Sequence, residues 1–362
     1  MTEFMKVLAL VLVLLPLSVG AATPTVLPTV PKGLKASVFA EVRNAREMAI
    51  SPTGRVYVGS EEAGQVALVE KGKTHIMLEG LLIPNGVAWH NGDLYIAELQ
   101  KLSVIRGVDK WVPGTKPKLE TIKVSLPSDQ HHGAKYIAIG PDNKLYIPVG
   151  APCNVCLKPL PYAALHRMDL DGKNFTTIAE GIRNTVGFAW HPETKQLWFT
   201  DNGRDQMGDN VPPDEVNILV KEKTHFGFPY IHAHFKDSYF FPQAPAKFES
   251  VPATIEVQAH SATLGLAFTH KTQLSKLYPN CVIVAEHGSW NRSSKVGYQV
   301  SVSCPDKAKK FPPLQPLMTG LLNLGQVSGR PVDVKFLPDG ALLVSDDYAN
   351  KIWKIEADGG SK

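Results

Sequence analysis

The chain has 362 residues, 44% of them hydrophobic, and a formal charge of +4. That charge is too small and too dispersed for a nucleic-acid partner, and no ladder of basic and aromatic residues accompanies it. Small molecules are the expected partners.

In chain order, Met1–Ala22 comes first, with one early lysine, an apolar run from Val7 to Leu15, Pro16, and small residues up to Ala22. The run is too short to cross a bilayer, and the small residues suit a peptidase, so this reads as a secretory signal cleaved after Ala21 or Ala22. Thr23 to Pro31 forms a short lead. No later segment is apolar for long enough to span a membrane, so residues 23–362 are expected to be one exported domain, periplasmic or secreted.

Six times, an apolar stretch, a turn and a second apolar strand then recur. They run from Met48-Ala49-Ile50 to Val56-Tyr57-Val58, from Val87-Ala88-Trp89 to Leu94-Tyr95-Ile96, and from Ile137-Ala138-Ile139 to Leu145-Tyr146-Ile147. The remaining copies run from Phe188-Ala189-Trp190 to Leu197-Trp198-Phe199, from Leu266-Ala267-Phe268 to Val282-Ile283-Val284, and from Val334-Lys335-Phe336 to Leu342-Leu343-Val344. Turns such as Gly140-Pro141-Asp142-Asn143 and Leu337-Pro338-Asp339-Gly340 carry residues that set turn dihedrals. A single hairpin cannot bury its apolar face alone, so the units must stack, in a sandwich, a solenoid or a ring. A spacing of roughly 40 to 85 residues is too long for a solenoid rung and suits a blade with insertions. The expected fold is all-β, a six-bladed β-propeller with four-stranded antiparallel blades, and its function is expected at the axial mouth.

Polar segments interrupt this pattern where strands meet loops. Ser128-Asp129-Gln130-His131-His132-Gly133 offers a histidine as general base, and alternation sends the two rings to different sides. Arg183-Asn184 supplies a planar cation that can clamp an anion or serve as a hydrogen-bonded blade corner. The run Thr200 to Asn210, followed by Asp214-Glu215-Val216-Asn217, is dense in oxygen ligands of the kind calcium takes, without EF-hand spacing. Glu286 to Arg292, and Gly329-Arg330-Pro331-Val332-Asp333, each bring an arginine to a strand end. Among the four cysteines, Cys153 and Cys156 lack the following helix of a redox motif, the histidine of a haem motif and the second pair of a zinc site. They read as a loop staple, and hairpin pairing is expected to join Cys281 to Cys304.

At these segments the chain resembles the quinoprotein sugar dehydrogenases, the soluble glucose, sorbosone and aldose dehydrogenase group that uses pyrroloquinoline quinone (PQQ) and calcium. The resemblance rests on His132 before Ile139-Gly140-Pro141-Asp142, Arg183-Asn184 before Gly187-Phe188-Ala189, Asn202-Gly203-Arg204 before Asp214-Glu215-Val216-Asn217, and Gly329-Arg330-Pro331-Val332-Asp333. Glu286-His287-Gly288-Ser289-Trp290-Asn291-Arg292 is more similar to the sorbosone and aldose branch. The resemblance implies that His132 is the base, Arg183 lies beside the reactive quinone carbonyl, and Asn184 contacts the cofactor. It further implies that Gly203 and Arg204 hold calcium through main-chain carbonyls and that Arg330 binds the cofactor. A second cofactor arginine is replaced by Val332, and the clamping lysine has only Arg292 and Lys295 in its segment. The implied activity is oxidation of an aldose or sorbosone-like sugar by hydride transfer to PQQ, with electrons passing to a separate acceptor. A calcium-dependent lactonase-like hydrolase and a non-catalytic ligand-binding propeller stay open as alternatives.

Overall fold

The computed structural model describes residues 26–359, so the expected signal segment lies outside the described residues. Each predicted hairpin becomes the inner pair of a separate sheet. Blade 1 comprises Ala45–Ile50, Val56–Ser60, Val66–Glu70 and Lys73–Leu78, and blade 2 comprises Gly86–His90, Asp93–Ala97, Leu102–Ile105 and Glu120–Ile122. Blade 3 starts with the short inner strand Ala138–Ile139 and continues through Leu145–Val149, Ala164–Met168 and Thr176–Glu180. Blade 4 comprises Phe188–Trp190, Leu197–Asp201, Asp214–Leu219 and Ile255–Val257, and blade 5 Thr263–Phe268, Val282–Glu286, Gln299–Ser303 and Gln315–Met318. A long insertion in blade 4 lends Thr224–His225 to the outer edge of blade 3, where it pairs in parallel with Thr176–Glu180.

Blade 6 closes the ring from both ends of the chain. Its inner strands Pro331–Phe336, Leu342–Asp346 and Lys351–Ala357 are completed by Leu34–Glu41, antiparallel with Leu34 opposite Ala357 and Glu41 opposite Lys351. Open propeller edges are unstable because they present unpaired backbone groups, and this pairing removes the seam. The two disulfides expected from the sequence, Cys153–Cys156 and Cys281–Cys304, are formed.

The apolar core is distributed between blades rather than gathered at the centre. Tyr57, Leu68, Val87 and Ile96 fill the space between blades 1 and 2; Tyr95, Ile137, Leu145 and Ile147 fill that between blades 2 and 3. The same alternation recurs around the ring, ending with Met48 and Val56 against Leu343 and Ile352 between blades 1 and 6. Both faces of each sheet are therefore buried, which is why the second strands read as continuous apolar runs.

Inner strands have one edge facing the axis, and their free N–H groups need partners. Carboxylates supply them. Buried Glu47 accepts from Val87 N at 3.2 Å and Ile137 N at 3.0 Å, while Asp333 accepts from Met48 N at 2.9 Å. Blades converge closely here: a Cβ at Gly187 would lie 2.2 Å from the Leu264 carbonyl oxygen, so only glycine fits.

Candidate functional site

A cavity of about 380 Å³ opens at the end of the axis where inner strands begin and second strands finish. That volume lies within the range of small-molecule sites, roughly 300–1,000 Å³. His132, Arg183, Asn184 and Gly203 all line it, together with Arg46, His287 and Trp290. Blades 1, 4 and 5 and the loop entering blade 3 contribute, so residues far apart in sequence meet only through ring closure.

His132 precedes the inner strand of blade 3, in a left-handed backbone conformation with φ of 53°. Its Nδ1–H donates to the Ala151 carbonyl at 2.7 Å, which fixes the tautomer and leaves Nε2 as the proton acceptor. Burial, then the neighbouring Arg183 and His131, lower its pKa to about 3. The imidazole is thus neutral across ordinary pH. His131 is exposed and does not line the cavity.

Arg183 is 4% exposed, and all of its side-chain nitrogens are engaged. Nε donates to Asn154 O at 2.8 Å, Nη1 to Asn202 O at 3.1 Å and Gly203 O at 2.9 Å, and Nη2 to Asn154 Oδ1 at 3.0 Å and Asp205 Oδ2 at 2.9 Å. Burial lowers its pKa, against Asp205 and Asp201, which raise it. The Cys153–Cys156 disulfide brackets Asn154 in sequence, so the staple helps to hold the residue that grips the guanidinium. Next door, Asn184 donates its backbone N–H to Asp201 Oδ1 at 2.6 Å, and its carbonyl accepts from Asn202, so its backbone is fixed at the cavity wall.

The Gly203–Arg204 loop is held from beneath by a buried carboxylate. Asp214 accepts from Gly203 N at 2.8 Å through Oδ1 and from Ala262 N at 2.7 Å through Oδ2, joining blades 4 and 5. Burial pushes its pKa up to about 7, against these two N–H donors, which lower it. The Arg204 side chain ion-pairs with Asp237, which also accepts from His232, and it is not part of the cavity lining. Its carbonyl receives no hydrogen bond from the described residues.

Arg292 and Arg330 sit elsewhere. Arg330 donates to His287 O at 3.1 Å and Gly288 O at 2.9 Å, and Arg292 donates to Ala259 O at 3.2 Å and to the Asp209 carbonyl. Both pin the loop after Glu286, and neither is among the residues that line the cavity.

Sequence reading missed an ionic group on the opposite wall. Arg46, 5% exposed, donates to Asn85 Oδ1 at 2.9 Å and pairs with Asp347 at 2.8 Å and Glu61 at 3.3 Å. His287 Nε2 is 2.9 Å from Asp347 Oδ1. Burial raises the Asp347 pKa, yet His287 and Arg46 together hold it well below the usual carboxylate range. The available signal was Arg46-Glu47, two charges opening an otherwise apolar inner strand.

A family model described as TrAA12-like matches residues 161–358. An uncharacterized protein of Borreliella burgdorferi is 30% identical, the match covering 98% of this chain and 97% of that one. The chain belongs to the TrAA12-like family. Among solved structures, the Carbohydrate-Active Enzymes family AA12 protein of Trichoderma reesei superposes with a TM-score of 0.75 at 16% identity, covering 92% of this chain and 98% of that chain. The PQQ domain of pyranose dehydrogenase from Coprinopsis cinerea, in holo form, gives a TM-score of 0.73 at 18% identity, covering 93% and 99%. These likenesses agree with the six-bladed propeller fold.

The residues of this TrAA12-like site fit a planar, oxygen-rich quinone in size and in free polar groups, since His132 Nε2 and the Asn184 carboxamide line the cavity without a hydrogen-bond partner among the described residues. Among the described residues, no cluster of three His, Cys, Asp or Glu side chains is placed to hold a metal. A hard cation here would rely on main-chain oxygens, of which the Arg204 carbonyl is unengaged and the Gly203 carbonyl is shared with Arg183.

Proposed function

We propose that this protein is an exported, calcium-assisted quinoprotein dehydrogenase that oxidises an aldose or sorbosone-like sugar with PQQ. The supporting observation is the meeting of a tautomer-fixed His132 with Arg183, Asn184 and Gly203 in one cavity of a TrAA12-like propeller. PQQ, when bound, supplies the hydride acceptor. His132 Nε2 takes the proton from the hydroxyl oxygen borne by the substrate carbon that loses hydride, and Ala151 O steadies the imidazolium through Nδ1–H. Arg183 holds the Asn202 and Gly203 carbonyls in place and would bring positive charge to the side of the cofactor's reactive carbonyl. Asn184 would offer its carboxamide to the cofactor, and the Gly203 and Arg204 carbonyls would hold calcium. Arg292 and Arg330 assist by fixing the loop that forms one wall. Electrons leave to a separate acceptor.

Export through a cleaved Met1–Ala22 segment is part of this proposal, supported by two disulfides of the kind that persist in oxidising compartments. Among the described residues no helix is long and apolar enough to cross a membrane.

The test is an absorbance titration of metal-free protein with PQQ and calcium, followed by dye reduction with a panel of aldoses. Saturable, calcium-dependent PQQ binding and sugar-dependent dye reduction are expected. Failure to bind PQQ at micromolar concentration refutes the reading.

A further inference from the structure

Of the six tryptophans, Trp290 alone is exposed, at 70%, and it stands at the cavity wall. Leaving an indole in water forgoes a large hydrophobic gain, so the position asks for a reason. Loop mobility is not that reason. The flanking residue Ser289 is buried; its backbone N–H donates to Val296 O at 3.0 Å, its hydroxyl accepts from Val296 N at 3.0 Å, and its carbonyl accepts from the Tyr298 hydroxyl. On the other side, Asn291 Nδ2 donates to Asp205 Oδ1 at 3.0 Å. Arg330 holds the preceding His287 and Gly288 carbonyls. A rigid loop thus presents a flat apolar face at the mouth of a polar cavity.

We propose that Trp290 is a substrate platform on which an aldopyranose lays its C–H face while its hydroxyls meet the polar rim at Glu61, Gln130 and Asn291. This rests on the dehydrogenase reading of the cavity. Arg46 and Arg183 are buried and satisfied by protein partners, whereas the exposed part of the lining combines an aromatic face with neutral and mixed-charge polar side chains, which suits an uncharged polyol. A ring at the mouth touches the molecule that arrives last. Trp290 therefore sets substrate affinity and preference, and cofactor affinity is independent of it.

The test uses the full chain, wild type and the Trp290→Ala and Trp290→Phe variants. With PQQ and calcium loaded, Trp290→Ala is expected to raise KM for a responsive aldose about fivefold to tenfold with kcat changed less than twofold, and Trp290→Phe to restore most of the loss. The PQQ titration is expected to be the same in all three proteins. A second readout needs no turnover: acrylamide quenching of the red-edge tryptophan emission reports the exposed indole, and millimolar aldose is expected to protect it. Unchanged KM in Trp290→Ala, or no protection by any aldose that the wild type oxidises, overturns the platform. Protection by aldose in a protein that binds no PQQ supports the platform and refutes the dehydrogenase reading instead.

Discussion

Replacing Arg183 by lysine keeps the charge and removes the planar fork, and the structure gives the size of the effect. The guanidinium makes five hydrogen bonds from a nearly buried position, to Asn154 twice, Asn202, Gly203 and Asp205. An ammonium has three donors from one centre, so at least two acceptors lose their partner. Leaving a buried polar group unpaired costs about 1–3 kcal/mol, so the loss is roughly 2–6 kcal/mol. With an unfolding entropy of about 2.1 cal/mol/K per residue, a folded unit of about 330 residues has roughly 0.7 kcal/mol/K, and Tm is expected to fall by about 3–9 °C. Calorimetry in calcium-free buffer without PQQ measures this cleanly. Arg183→Met is expected to fall further, because Asp205 and Asp201 then lose a buried countercharge. A fall of less than about 1 °C in both variants would refute the account of Arg183 as the tie between the Asn154 loop and the Gly203 loop.

Two further outcomes follow from the same wall of the cavity. A Cβ at residue 203 would lie 2.8 Å from the Pro213 carbonyl oxygen and 3.2 Å from Pro212 Cγ, so Gly203→Val must displace the loop. Calorimetric titration is expected to show calcium affinity reduced tenfold or more in Gly203→Val and within about twofold of wild type in Arg204→Ala, whose side chain serves Asp237; the opposite ranking would show that the Arg204–Asp237 pair, rather than the path of the loop at Gly203, sets the affinity. His132→Ala is expected to bind PQQ as wild type does and to lose about a hundredfold to ten-thousandfold in kcat, with His131→Ala much milder. Because burial lowers the His132 pKa to about 3, the neutral base persists as pH falls through 6.5 and is lost only near pH 3. The low-pH limb of kcat/KM is therefore expected below about pH 4; a limb centred near 6.5 would contradict the buried, tautomer-fixed ring.

Local chemistry in the sequence was enough to define the repeating unit. Alternating apolar residues and turns such as Leu337-Pro338-Asp339-Gly340 specify hairpins through near neighbours, and each predicted pair became the inner part of a blade. The cysteine pairs were legible for the same reason, since hairpin register brings Cys281 to Cys304. His132, Arg183 and Asn184 stood out in polar breaks at strand ends, Gly203 came from the family resemblance, and all four line one cavity.

What the sequence could not show depends on contacts between distant segments. Leu34–Glu41 carries no mark of belonging to blade 6, because its partner Lys351–Ala357 lies at the other end of the chain and is met only when the ring closes. Arginines illustrate the same limit. Arg183, Arg292 and Arg330 read as available cations and Arg46 was not singled out, because which carbonyls and carboxylates surround each one is set by neighbouring blades. Packing around the axis turns Arg292 and Arg330 to loop carbonyls, brings Arg46 and His287 to Asp347, and leaves Trp290 facing solvent. Periodicity and turn residues act over a few positions along the chain and decide the strands; the site is decided by which strand ends converge, and only the closed ring brings them together.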